Sequence, residues 1–110
     1  MSLPFAKGHG LGNDYLVVRH EDLPWDLTRE RIRAICDRHG GIGSDGVMIV
    51  RVEDGTFTLR IYNPDGSEAE KSGNGLRIFG AWLYGTGAVK LNEWFDVHLV
   101  KDTVQMRVEE

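Results

Sequence analysis

Cysteine is nearly absent: Cys36 is the single one in 110 residues. It excludes an internal disulfide and any zinc site built from several cysteines. Histidine gives no alternative, because His9, His20, His39 and His98 are scattered and no H-x-x-x-H spacing occurs. No metal site is therefore expected. Basic clusters are also missing and the net charge is −4, so a nucleic-acid partner is not expected. No apolar run approaches the roughly 18 residues of a membrane span, and no membrane partner is expected. The opening Met-Ser-Leu-Pro-Phe lacks the charged-then-apolar pattern of a signal peptide, which makes the cytoplasm the expected location. Proline is scarce, with three residues, whereas glycine is plentiful, with 14. A chain 41% hydrophobic and 27% charged has the composition of a folding protein. At this length one domain, residues 1–110, is expected, with enough core to fold without staples.

Periodicity divides the chain into short elements. Leu3 to Gly8 and Tyr15 to Arg19 read as strands flanking a glycine-rich turn, Gly8-His-Gly-Leu-Gly-Asn-Asp14. Thr28 to Arg38 reads as a helix, with Ile32, Ile35, Cys36 and His39 on one face. Asp26 or Thr28 would cap its start and Gly40 would supply a left-handed stop. Val47 to Val52 is β-branched and reads as a buried strand; Asp54-Gly55 signals a hairpin into a strand from Thr56 to Tyr62. After a turn at Asn63-Pro-Asp-Gly66, Gly73 to Tyr84 reads as a helix that is apolar almost all round, with Arg77 the main exception, and ends at Gly85 and Gly87. Phe95, Val97 and Leu99 alternate onto one face, as do Val104, Met106 and Val108, with a turn at Lys101-Asp102. The expected order is ββαββαββ, an α+β fold in which a curved, mostly antiparallel sheet packs on a buried central helix.

Three glycine-rich segments carry candidate chemistry. Gly41-Ile-Gly-Ser-Asp-Gly46 fits G-x-G-x-x-G by letter. A dinucleotide site needs a strand before the motif and a helix after it, and here the order is reversed. It reads as a helix-to-strand connection. Ser72-Gly-Asn-Gly75 opens the second helix, where free N–H groups and the positive dipole end favour a carboxylate or phosphate. Ser72 or Asn74 capping the helix explains the same residues. Gly10-Leu-Gly-Asn-Asp14 could present Asn13 as a two-sided hydrogen-bonding group, although glycine and asparagine also dominate ordinary turns. Cys36, on an apolar helix face, reads as a packed core thiol.

Taken together, Phe5-Ala-Lys-Gly-His-Gly-Leu-Gly-Asn-Asp-Tyr15, Cys36-Asp-Arg-His-Gly-Gly-Ile-Gly-Ser-Asp-Gly46 and Tyr62-Asn-Pro-Asp-Gly-Ser-Glu-Ala-Glu-Lys-Ser-Gly-Asn-Gly75 resemble the N-terminal half of diaminopimelate epimerase. The resemblance spans essentially the whole chain, and the third segment is the most specific. It implies an enzyme of two similar domains with the active site between them, interconverting LL- and meso-diaminopimelate on the way to lysine, without pyridoxal phosphate or metal. It implies two cysteines, one per domain, on opposite faces of the substrate's α-carbon: one takes the proton as thiolate and the other delivers one. By the same resemblance Asn13 and Asn63 are substrate-binding, Gly73 and Asn74 hold the substrate carboxylate, and Ser72 stands where the family has its first catalytic cysteine.

Two departures shape the expectations. A serine hydroxyl is less acidic than a thiol by about 5 pK units, which makes its basic form costlier by roughly 7 kcal/mol. Ser72 is then a poor base unless a neighbour activates it. The chain also stops at Glu110, where the resemblance calls for a second domain, so a fragment or a half-enzyme is expected, inactive alone. The expected ligand is a small diaminopimelate-like amino acid, and a homodimer is expected to cover the exposed half-site. Ser72 keeps open a related enzyme, resembling proline racemases or phenazine-pathway isomerases, with a different acid/base residue. A carboxylate-binding or assembly module is the non-enzymatic alternative.

Overall fold

Among the described residues, three hairpins and two α-helices form the main elements. The computed structural model describes residues 6–10, 13–23, 26–41, 43–69 and 73–109. Its elements are β1 (Ala6–Gly10), β2 (Asn13–Arg19), a 3-10 turn (His20–Asp22), α1 (Arg29–Cys36), β3 (Gly46–Glu53), β4 (Thr56–Tyr62), β5 (Glu68–Ala69), α2 (Gly73–Gly85), β6 (Phe95–His98) and β7 (Thr103–Met106). The pairs β1–β2, β3–β4 and β6–β7 are antiparallel hairpins. Parallel pairing joins them, β2 to β3 across α1 and β4 to β6 across α2. The sheet order is β1-β2-β3-β4-β6-β7, with β5 pairing the last residues of β4. This is the expected α+β fold, with β5 and the two parallel seams added.

The sheet has two covered faces, and strand alternation sorts residues between them. Val17, Met48 and Val50 face α2, where Ile78, Phe79 and Leu83 are buried. Leu16, Val18, Val47 and Ile49 face the other way, onto Ile32 and Cys36 of α1. Double coverage explains why β3 is continuously buried from Gly46 to Val50 and exposed from Arg51 onward. Burying each large α2 side chain contributes about 1.5–3 kcal/mol. The sheet curls round α2 from both edges. A Cβ on Gly8 of β1 would lie 2.2 Å from Ile78 Cγ2, so only glycine allows that approach. From the other edge Met106 and Val108 reach Gly80. One stripe of α2, through Gly73, Arg77, Ala81 and Tyr84, stays exposed, so burial is less complete than the apolar circumference predicts.

Local chemistry fixes the ends. Thr28 caps α1 by accepting from the Arg31 N–H at 3.2 Å. The helix stops at Cys36, shorter than expected. Its last cap is Asp37 with extended backbone, not a left-handed Gly40, and His39 is exposed in the following turn instead of on the apolar face. At α2 the Gly87 N–H reaches the Tyr84 carbonyl and the Ala88 N–H reaches the Leu83 carbonyl, with Gly87 at φ 80°. That is the left-handed stop expected there. Asp54 and Gly55, both at positive φ, make the two-residue turn of the β3–β4 hairpin. The first hairpin corrects the expected boundaries: pairing runs to Gly10 opposite Asn13, so most of the glycine-rich stretch is strand. Leu3 to Phe5, assigned to the first strand, lie outside the described residues.

Candidate functional site

The positions singled out in sequence gather at one end of the sheet. Asn13 is the first residue of β2, opposite Gly10. Tyr15 lies beside Gly46, the first residue of β3, and Val47 lies beside Tyr62, the last residue of β4. Asn63 follows immediately. β5 pairs back onto Ile61 and Tyr62, and the chain enters α2 soon afterwards, so Gly73 and Asn74 begin at the same end. Gly8, level with Tyr15, packs on Ile78, so the helix start projects beyond that row. Gly73 is exposed, with open space where a side chain would stand, and Asn74 is half-buried. Ser72 lies outside the described residues.

The turn after β4 is tightly organised. The Asn63 N–H donates to the Ser67 carbonyl at 2.8 Å, and the Gly66 N–H donates to the Asn63 carbonyl at 2.9 Å. The Asn63 side-chain amide donates to Ser67 Oγ at 3.1 Å, while the Ser67 hydroxyl and N–H both donate to Asp65, at 2.6 and 2.8 Å. The Ser67 hydroxyl, then its N–H, hold the Asp65 carboxyl below its ordinary range, with Arg29 and Arg33 assisting. The turn docks on α1: Arg33 Nε donates to the Asp65 carbonyl at 2.8 Å. Gly66, at φ 89°, sits where a Cβ would lie 2.7 Å from Arg29 Cα.

A second contact set joins the first two glycine-rich segments. The Asp14 N–H donates to Asp45 Oδ2 at 2.7 Å, and the Asp45 N–H donates to the Asp14 carbonyl at 2.7 Å. Arg38 donates to the other Asp45 oxygen at 2.8 Å. Arg38 and Asp45 are both well exposed, so their ion pair contributes at most about 1 kcal/mol. Sequence reasoning missed this pair; an aspartate in each of two glycine-rich segments was the available signal. Gly46 is required as glycine here, since a Cβ would lie 2.6 Å from the Tyr15 ring and 2.8 Å from the Tyr62 carbonyl.

Cys36 is buried on the α1 side of the sheet, away from α2. Its sulfur lies 3.2 Å from Ser44 Oγ, and that oxygen lies 3.0 Å from the Gly46 carbonyl. Burial pushes the thiol up, outweighing the Ser44 hydroxyl and Arg38, which pull it down. A neutral, enclosed thiol is core, as expected. The segment from Gly41 to Gly46 joins helix to strand, again as expected. A groove of about 540 Å³ also lies on the α1 side, beside Leu23, Leu27 and Ile49. Arg60, in its lining, is held bidentately by Glu68 at 2.7 and 2.9 Å. Burial, then Glu68, raises the Tyr62 hydroxyl at its margin. Among the described residues no helix is long and apolar enough to cross a membrane.

The family model described as diaminopimelate epimerase matches residues 5–110. Diaminopimelate epimerase 2 of a Nostoc species is 55% identical over 89 residues, covering 79% of this chain and 31% of the relative. Diaminopimelate epimerase of Corynebacterium glutamicum is 41% identical over 106 residues, covering 88% of this chain and 38% of the relative. The chain thus spans about a third of the length of these curated relatives. Among solved structures, methylitaconate-delta-isomerase superposes with TM-score 0.72 at 16% identity, over 100% of this chain and 35% of that one. That likeness is one of fold.

Proposed function

Because the chain belongs to the diaminopimelate epimerase family, we propose that it is one domain of a cofactor-independent amino-acid epimerase, the half that holds the α-amino and α-carboxylate end of a diaminopimelate-like substrate. The observation that carries the reading is the convergence of Asn13, Asn63, Gly73 and Asn74 at one end of the sheet, against the start of α2. The N–H groups and positive dipole end of a helix start attract a carboxylate and stabilise charge that develops on it when the α-proton leaves. The absence of a side chain at Gly73 lets a ligand approach the backbone. An asparagine amide both donates and accepts, which suits an ammonium and a carboxylate on one carbon; the amide of Asn63 also donates to Ser67.

In this reading Ser72 occupies the place of the first proton-transferring group. A hydroxyl without an activating base removes an α-proton poorly, and inversion needs an acceptor on each face. The 110-residue chain therefore binds substrate weakly and does not epimerise it. A cytoplasmic location fits the substrate class. Pairing of two copies would bring two half-sites together by two-fold symmetry. Ser72 supports one second reading, a related isomerase that uses the same fold with another acid/base residue.

The test is deuterium incorporation at the α-carbon of diaminopimelate in heavy water, catalysed by the chain, by its Ser72→Cys variant, and by a longer reading frame where one exists. No incorporation by the 110-residue chain is expected. Turnover of LL- to meso-diaminopimelate by that chain alone would refute the half-site reading.

A further inference from the structure

The loop between α1 and β3 holds none of the positions assigned to substrate, yet it grips the strand that carries one of them. Asp45 binds both backbone groups of Asp14: its carboxylate accepts the N–H and its own N–H meets the carbonyl, each at 2.7 Å. At the level of Asp14 β3 has not begun, so the carboxylate takes the place of the next backbone acceptor in the parallel ladder. The loop is itself anchored. The Gly43 N–H donates to the Ile35 carbonyl at 3.0 Å, the Ser44 N–H to the Cys36 carbonyl at 3.3 Å, and Ser44 is 3% exposed. Arg38 holds the second carboxylate oxygen. A chain of hydrogen bonds thus links the end of α1 to the residue next to Asn13.

We propose that Asp45 is a positioning residue: by fixing Asp14 from both sides it sets the placement of Asn13 at the substrate end of the sheet. This rests on the reading of Asn13 given above. The residue type follows from the geometry. An asparagine keeps an acceptor for the Asp14 N–H but loses the ionic partner of Arg38, and an alanine loses both. A strut of this kind acts on substrate affinity through Asn13 while touching no substrate itself.

The experiment uses the 110-residue chain, labelled with nitrogen-15, as wild type, Asp45→Ala and Asp45→Asn. Amide exchange is followed at Asp14 and, as an internal control for global opening, at Val17. Meso-diaminopimelate is titrated while the Asn13 side-chain amide signal is observed. In Asp45→Ala, exchange at Asp14 should rise at least tenfold more than at Val17, and diaminopimelate affinity should fall about tenfold. Asp45→Asn should recover most of both. Equal acceleration at Asp14 and Val17 overturns the strut. A wild type that responds to diaminopimelate, with Asp45→Ala responding equally, overturns positioning alone. A wild type with no response at Asn13 overturns the substrate reading, and positioning with it.

Discussion

Placing a methyl group on Gly8 tests whether the edge of the sheet closes on the central helix. The ideal Cβ would stand 2.2 Å from Ile78 Cγ2 and 3.5 Å from Ile78 Cβ. Carbon atoms settle at roughly 3.5–4.0 Å, so the overlap is about 1.5 Å. Rotating Ile78 away is costly, because a β-branched side chain in a helix strongly prefers one χ1 rotamer. Gly8→Ala should therefore destabilise by about 1–3 kcal/mol, as overpacking does. Ile78 is 4% exposed, and Ile78→Ala should cost about 2–5 kcal/mol through lost burial and the cavity left behind. In the double variant the new methyl enters that cavity. The pair should cost less than the sum of the single changes by at least about 1 kcal/mol. Urea unfolding of the four proteins, with slopes compared to confirm a common transition, measures the cycle. Additivity within about 0.5 kcal/mol would mean that the two residues do not touch, and the curled sheet would be wrong.

Two further outcomes follow from the same geometry. Gly66→Ala should cost about 3 kcal/mol by urea unfolding, because it combines left-handed strain with overlap on Arg29, whereas Gly55→Ala, also at positive φ but with nothing within 4 Å, should cost only about 1–2 kcal/mol; equal costs would remove the docking of the turn on α1. The raised Cys36 thiol predicts that its share of stability is complete below the unfolded value near pH ~8.5 and is lost as pH rises towards the folded value. Wild type should lose stability relative to Cys36→Ala above that pH, and parallel pH profiles would show that the thiol is not enclosed.

Where local rules decide structure, the sequence was readable. Asp54-Gly55 satisfies a turn that needs positive φ twice, and the faces made by Phe95, Val97, Leu99 and by Val104, Met106, Val108 follow from strict alternation. The glycine-rich first segment misled because Gly8 serves close approach to Ile78 and not a turn, a reason that exists only once α2 is in place. α1 ends early because carbonyls in its last turn are taken by the returning loop, and the parallel seams bring together residues whose pairing no local pattern encodes. At the site, resemblance supplied Asn13, Asn63, Gly73 and Asn74, while the registers supplied their convergence. The Asp14–Asp45 grip left only a faint trace, because either aspartate alone looks like an ordinary turn residue.

The two kinds of seam in the sheet also impose an order on folding. Each antiparallel hairpin closes a short loop and can form from neighbours in sequence, at little entropic cost. Neither parallel seam can form until a helix has carried the chain back, and the β4–β6 seam needs α2 seated on the sheet. The hairpins should therefore form early and locally, and assembly should wait on α2 as the surface against which they dock. Partial opening should run in reverse: β7 and β1, at the free edges, loosen from Gly80 and Ile78 before β3 and β4, which are paired on both sides, give way.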